Sequence, residues 1–369
     1  MKGTKGKWVG WLGLLLAVVV VPRVRAVLFE ATGDPSYNTN APTGSLTNSG
    51  WQYEGQWQQY LGTPIAPTFF LAARHIGGSP GDPFIFNGFT YTTVANFDDP
   101  STDLRIWQVA QTFPYYAPLY SASNEVGELC VVIGRGTQRG SLISVEAGRT
   151  NGWMWGATDN VQRWGENTVA AVYTNGVNDL LLYANFEANG MTNECDLSVG
   201  DSSGGMFIQN GTTWELAGIH YGVDSPFSLN SSGSPDFNAA VVDLRGLYYE
   251  TCNGGCWTLW PTNDPEATPT GFYSTRVSTR ISWINSIIND NLGNDLGVTA
   301  VQIVGGNAQI SLITGSNRFY RVDYTTNLVN AVWTTLTNNI PGTGGTVTVT
   351  DPGGTAGQPA RYYRAAVLP

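Results

Sequence analysis

Gly200-Asp201-Ser202-Ser203-Gly204-Gly205-Met206-Phe207-Ile208-Gln209-Asn210-Gly211 decides how the rest of the chain is read. Its first half sets a serine between an acid and glycines, the composition of a loop whose backbone bends tightly. In such a bend the N–H groups of Gly200 and Ser202 can point at one spot, as a developing oxyanion requires. Gly, Ser and Asp are also ordinary turn formers, so the hexapeptide needs a base, an acid and a suitable fold around it. The second half supplies the fold. Met206-Phe207-Ile208 reads as a strand, Asn210-Gly211 as a hairpin turn, and Trp214 to His220 as the returning strand.

Outward from that hairpin the pattern repeats. Between about 27 and 265, apolar or alternating runs are broken by turn residues: Thr68 to Ala73, Phe84 to Val94, Leu104 to Val109, Leu129 to Ile133, Thr168 to Tyr173 and Leu180 to Phe186. So many strands with almost no helical period predict an all-β barrel or sandwich. Thr275 to Asn289 departs from this. Val277, Ile281, Trp283, Ile284, Ile287 and Ile288 recur at helical spacing, which predicts one helix closing the first domain. After a linker at Gly293 to Gly297, residues 298–369 read as a small, sandwich-like β domain. Its strands are expected at Thr299 to Val304, Ala308 to Ile313, Phe319 to Thr325, Thr346 to Thr350 and Arg361 to Val367. Tyr320, Tyr324, Trp333, Tyr362 and Tyr363 read there as aromatic core rather than as a ligand platform.

The chain has 369 residues, more than one core usually organises, and two domains are expected. Its net charge of −10 argues against nucleic acid or an anionic membrane as a partner. Lys2, Lys5 and Lys7, the apolar run Trp8 to Val21 and the small-residue site Val24-Arg25-Ala26 read as a signal peptide spanning 1–26. Cleavage after Ala26 would deliver a secreted or periplasmic protein with no remaining membrane segment. Export permits disulfides among Cys130, Cys195, Cys252 and Cys256, which allow three pairings. The glycine-rich Cys252 to Cys256 segment suits a local bridge, leaving Cys130 with Cys195 as the default second pair. Cysteine pairs at metal-binding spacing are missing, so neither a metal nor another cofactor is expected.

Only two histidines exist, and one lies at a telling place. Phe69-Phe70-Leu71-Ala72-Ala73-Arg74-His75-Ile76-Gly77-Gly78 carries an apolar strand into His75 and a glycine turn. Asp103-Leu104-Arg105-Ile106-Trp107 places an acid at the mouth of another apolar strand. With Ser202 downstream, the order His75, Asp103, Ser202 resembles that of the trypsin/chymotrypsin-like serine proteases of the bacterial secreted type. Gly218-Ile219-His220-Tyr221-Gly222 is similar to that family's substrate-binding strand. Phe272-Tyr273-Ser274-Thr275-Arg276-Val277-Ser278 with Trp283-Ile284 is similar to its C-terminal helix motif. The resemblance spans about 45–290 and assigns residues 27–292 to a protease domain.

It implies a chymotrypsin-like double β-barrel with a C-terminal helix, acting on protein or peptide substrates. Ser202 would be the nucleophile, His75 the base, Asp103 the acid that orients it, and Gly200 and Ser202 the oxyanion donors. Asp196, six residues before Ser202, would be the acid on the pocket floor and select Lys or Arg; Tyr221 and Gly222 would bind substrate. Ser203 stands where the family usually has glycine, and it is the alternative nucleophile. The expected mature start at Val27 lacks the Ile-Val-Gly-Gly sequence whose freed amine pairs with the equivalent of Asp201, so Arg135 or Arg139 is the expected partner. The spacer Val223 to Pro269 is longer than the family's and predicts a surface excursion. His220 replaces a serine that touches the acid, and is expected to bond Asp103 or to pack beside it. The Gly-x-Ser-x-Gly elbow of α/β-hydrolases requires a helix after the serine, and a hairpin follows here. The competing class is a catalytically inactive binding or adhesion protein on a protease fold.

Overall fold

Phe69–Ala73 is apolar at all five positions and buried at all five. Side chains of a strand alternate between its faces, so each face of this one must be covered. Phe70 and Ala72 point into one hydrophobic cluster with Trp57, Phe84 and Trp107; Phe69, Leu71 and Ala73 point into another with Val131, Ile133 and Phe207. The first cluster fills a barrel. The second is the seam where that barrel meets the next one.

The computed structural model describes residues 27–368 except 176–178, 253–254, 292–295, 316–317, 330, 344 and 355–359. The expected signal peptide, Asn253-Gly254 of the cysteine loop and Gly293 to Asp295 of the linker lie outside the described residues. The first barrel closes in the order Gly55–Trp57, Tyr60–Ala66, Phe69–Ala73, Leu104–Val109, Phe89–Asp98, Pro83–Phe86. The second closes in the order Arg163–Asn175, Asp179–Asn185, Gly271–Arg276, Thr213–Val223, Gly205–Asn210, Leu129–Gly134. Every pairing in both barrels is antiparallel. Two closed six-stranded antiparallel barrels make the chymotrypsin-like double-barrel architecture. Closure leaves neither sheet an open edge.

Several expected elements are redrawn. The run Phe84 to Val94 is a hairpin rather than one strand, because Asn87 (φ 49°) and Gly88 (φ 77°) form a left-handed two-residue turn. The predicted helix at Thr275 to Asn289 begins later. Residues Gly271–Arg276 are a strand, the one that completes the second barrel, with Thr275 opposite both Leu181 and Ile219. Ladder hydrogen bonds on both sides outweigh the helical period there. A 3-10 turn at Ser278–Arg280 then leads into the α-helix Ile281–Asn291, with Val277 and Ile284 buried in the seam.

The excursion Val223 to Pro269 builds a four-stranded sheet from Asp236–Phe237, Phe227–Ser228, Tyr248–Cys252 and Cys256–Leu259. The disulfide Cys252–Cys256 closes its last hairpin. Cys130 and Cys195, the other expected pair, are both free and buried. The strand Arg163–Asn175 runs between them: Cys130 lies opposite Asn167 on one edge, and Glu194, beside Cys195, bridges to Glu166 on the other. Each thiol faces a carbonyl of that strand, Asn167 for Cys130 and Glu166 for Cys195.

Beyond the helix two three-stranded sheets stack around Ile310, Leu312, Tyr320 and Val322. They contain an unforeseen strand, Thr334–Pro341. Tyr320 is fully buried there, and Arg361 covers Tyr324 as Arg364 covers Trp333, so the aromatics form no open platform.

Candidate active site

The apolar strand Phe69–Ala73 ends in the tight turn Arg74–Ile76, which lifts His75 out of the first barrel. Gly77 and Gly78 follow with left-handed φ of 78° and 107°. A side chain at Gly78 would collide with the Trp57 ring, so only glycine lets the chain turn there. Register brings Asp103 alongside. Ala73 lies opposite Leu104, and Arg74 donates its N–H to the Asp103 carbonyl at 2.6 Å. The Asp103 carboxylate accepts from the His75 backbone N–H at 3.0 Å and from Nδ1 at 2.5 Å. A carboxylate only accepts, so Nδ1 holds the proton and Nε2 is free to accept. Ser202 Oγ lies 3.0 Å from that Nε2. Three residues expected to act together are thus joined in one hydrogen-bonded line, two from the first barrel and one from the second.

The loop that carries Ser202 is held by backbone hydrogen bonds. Asp201 donates its N–H to Ser198, Ser203 to His220, and Gly204 to Asp201. Gly200 takes φ 97°. Among the described residues, the N–H groups of Gly200 and Ser202 meet no protein acceptor. Those are the two donors expected for an oxyanion. Ser203 is fully buried, and its Oγ accepts from the Ala73 N–H rather than facing His75. That leaves Ser202 as the serine on the imidazole.

Asp201 corrects an expectation. Neither Arg135 nor Arg139 reaches it; the former bonds the Asn160 carbonyl, and the latter bonds the Phe29 and Glu30 carbonyls and lies over Trp153. The Asp201 carboxylate instead accepts from the Gly136 N–H at 2.6 Å and from the Ser198 N–H and hydroxyl at 2.8 and 2.9 Å. Backbone donors replace an arginine because Gly134 and Gly136 have no side chain to fend off the carboxylate. Burial pushes its pKa up to about 6, against the pull of those hydrogen bonds.

His220 does not bond Asp103. Its Nδ1 lies 3.0 Å from Ser274 Oγ, and burial lowers its pKa to about 3, keeping the ring neutral. Asp196 sits in the two-residue strand Cys195–Asp196, paired with Leu28–Phe29. It is 1% exposed, its Oδ1 accepts from the Leu197 N–H at 2.8 Å, and burial raises its pKa well above the usual carboxylate range. The Tyr221 ring meets His75 edge-on at 6.1 Å. Pairing with Gly205–Asn210 stops at Ile219, so the strand runs past the serine at Tyr221 and Gly222 without that neighbour. A Cβ at Gly222 would meet open space.

Two supports had no sequence signal. Glu54, buried, accepts at Oε1 from Thr63 Oγ1 at 3.0 Å and from the Gly205 N–H at 3.1 Å; burial pushes it up to about 8. Arg280 from the 3-10 turn grips Asp99 at 2.5 and 2.7 Å, bracing the loop that carries Asp103. A contact between partners 181 residues apart leaves no mark in a local pattern.

Among solved structures the chain is similar to kallikrein-related peptidase 10, with 14% identity and a TM-score of 0.39 over 68% of this chain and 100% of that one. No family model matches the sequence, and no curated protein matches it.

Proposed function

We propose that this chain is a secreted serine endopeptidase, cleaving peptide bonds through an acyl-enzyme on Ser202. The observation that carries the reading is the line Asp103–His75–Ser202, at 2.5 and 3.0 Å, between side chains of different barrels. In the reaction Ser202 Oγ attacks the carbonyl carbon while His75 Nε2 takes its proton, then returns it to the leaving amine. Asp103 fixes the imidazole's tautomer and stabilises the imidazolium. The N–H groups of Gly200 and Ser202 receive the carbonyl oxygen as it gains charge, where one lost donor costs about 3–4 kcal/mol. Residues 27–292 form the protease domain in this reading, and 298–369 an accessory β domain. N-terminal sequencing of the exported protein should begin at Val27.

The substrate chain runs along Tyr221 and Gly222, with Lys or Arg preferred before the scissile bond. The preference is expected to be modest. Burial raises the Asp196 pKa well above the usual carboxylate range, which opposes the charge that would attract a Lys or Arg side chain. Cleavage-site profiling on a peptide library, repeated with Asp196→Asn, tests this finer statement. A fluorophosphonate probe tests the coarser one: folded protein should be labelled, and Ser202→Ala should abolish labelling. Silence from the folded, secreted wild type would sink the protease reading in favour of a binding protein. Labelling lost in Ser203→Ala but kept in Ser202→Ala would move the nucleophile by one residue.

A further inference from the structure

Ser203 is at once fully buried and left-handed, with φ 72°, a conformation that L side chains rarely adopt. Glycine would sit there without strain. The hydroxyl gives a reason for the serine. In the first barrel, pairing of Tyr60–Ala66 with Phe69–Ala73 runs no further than Leu71. Arg74 directs its N–H toward the Asp103 side, so the N–H of Ala73 points the opposite way, past the end of the ladder. Ala73 is 2% exposed, and its N–H has no strand to meet. Ser203 Oγ accepts it at 2.9 Å, from the other barrel.

A second stitch lies two residues on. Gly205 in the second barrel donates its N–H to Glu54, which Thr63 of the first barrel holds. Both stitches flank Ser202 on its C-terminal side. The Ala73 stitch ends two residues before His75. The base and nucleophile belong to separate closed barrels, so their 3.0 Å separation rests on contacts across the seam. An apolar seam resists separation but slides easily; a hydrogen bond fixes position and direction.

We infer that Ser203 is a positioning residue, whose hydroxyl ties the nucleophile loop to the strand end that presents His75. This rests on the serine-protease reading. A small error in reactant geometry costs rate rather than binding. Ser203→Ala and Ser203→Gly should therefore lower the fluorophosphonate labelling rate and kcat at least tenfold, with KM within twofold. Amide exchange at Ala73 should rise at least tenfold. A purely structural serine predicts otherwise: glycine relieves the left-handed strain, so Ser203→Gly would label at the wild-type rate. That result, or an Ala73 amide as protected as in wild type, overturns the inference. Ala73→Pro with Ser203→Gly guards against misfolding by removing donor and acceptor together; Ala73 has φ −74°, within proline's range. That double variant should fold and still label slowly, and full-rate labelling by it also overturns the inference. If wild-type protein is itself unlabelled, the protease reading has failed and the positioning role falls with it. Failure of the inference alone shows as equal rates in a wild type that does label.

Discussion

The two barrels share a strand count and a topology, yet they are filled with different chemistry. The first encloses Trp57, Phe70, Phe84, Phe86, Tyr91, Trp107 and Phe113, with the rings of Phe70 and Phe84 stacked at 4.0 Å. Its one strongly shifted acid among the described residues is Glu54, buried at the seam and held by Thr63 and the Gly205 N–H. The second encloses Met206, Ile208 and Val132 beside two free thiols, and Glu194, Asp196, Asp201 and His220 are buried within it. Dispersion and apolar burial hold the aromatic cluster of the first barrel at any pH. Burial shifts the buried ionisable groups of the second toward their uncharged forms, so its stability depends on the proton concentration. His75 and Asp103 stand on the aromatic-filled barrel. Ser202 stands on the other, in a loop where Gly200 and Ser203 are left-handed.

The sharpest way to break that contrast is to disarm the first barrel's side. Asp103→Asn should reduce turnover about 10⁴-fold, because an amide favours the wrong imidazole tautomer. Peptide hydrolysis against wild type measures it, and a loss under tenfold would mean that His75 is not the base. Phe70→Ala attacks the scaffold instead. Losing a fully buried ring should cost about 3–5 kcal/mol in urea or guanidinium unfolding, while the folded fraction still labels. Its cost should be the same at pH 5 and pH 8.

The buried ionisable groups, Glu54 at the seam and the others on the second barrel, predict the opposite behaviour. Burial raises Glu54 to about 8, Glu194 to about 7 and Asp201 to about 6, all above their unfolded values. Between the unfolded and folded pKa the native state binds the extra proton, so stability falls as pH rises, by about 1.4 kcal/mol per unit for each group. His220 works the other way. Its folded pKa, lowered to about 3, makes stability fall as pH drops from about 6.5 toward 3. Asp196, also raised, adds to the three acids. The lowered Asp98, Glu125 and Asp323 lose stability only as pH falls through the carboxylate range, so stability is expected to be higher at pH 5 than at pH 8. Unfolding midpoints from pH 4 to 9 test it, and a flat profile would refute it. Glu54→Gln should remove the part of the slope between about 4.5 and 8.

How legible each barrel was follows from the same contrast. Largely apolar runs such as Leu104 to Val109 announce themselves because most of their side chains are buried, and that strand has the predicted bounds. Thr334–Pro341 gave no signal, since its side chains alternate weakly and face largely outward. The site was legible where chemistry follows short motifs: His75 after an apolar strand, Asp103 before one, Ser202 among glycines. The partner of Asp201 was not, because a backbone N–H looks alike in every residue. Ser203 was visible as a departure but not as a stitch. Its partner is 130 residues away, and only the end of the Leu71 ladder makes the Ala73 N–H need it.

The smallest expected effect concerns cysteine, which sets the second barrel's interior against its own surface excursion. Cys252–Cys256 closes a loop of only four residues' separation, so the chain entropy it removes is small. Replacing both by serine should cost at most about 2 kcal/mol, with Ser202 labelling unchanged. The hairpin pairing Tyr249 with Thr258 already aligns those strands, which shrinks the effect further. The interior thiols should be inert by comparison. Burial pushes Cys130 up to about 12 and Cys195 well above its ordinary value, and alkylation requires the thiolate. Native protein treated with reductant and iodoacetamide should therefore gain two adducts, and denatured protein four. Four adducts on native protein would mean that the second barrel opens readily, and that its buried acids are less firmly enclosed than its packing implies.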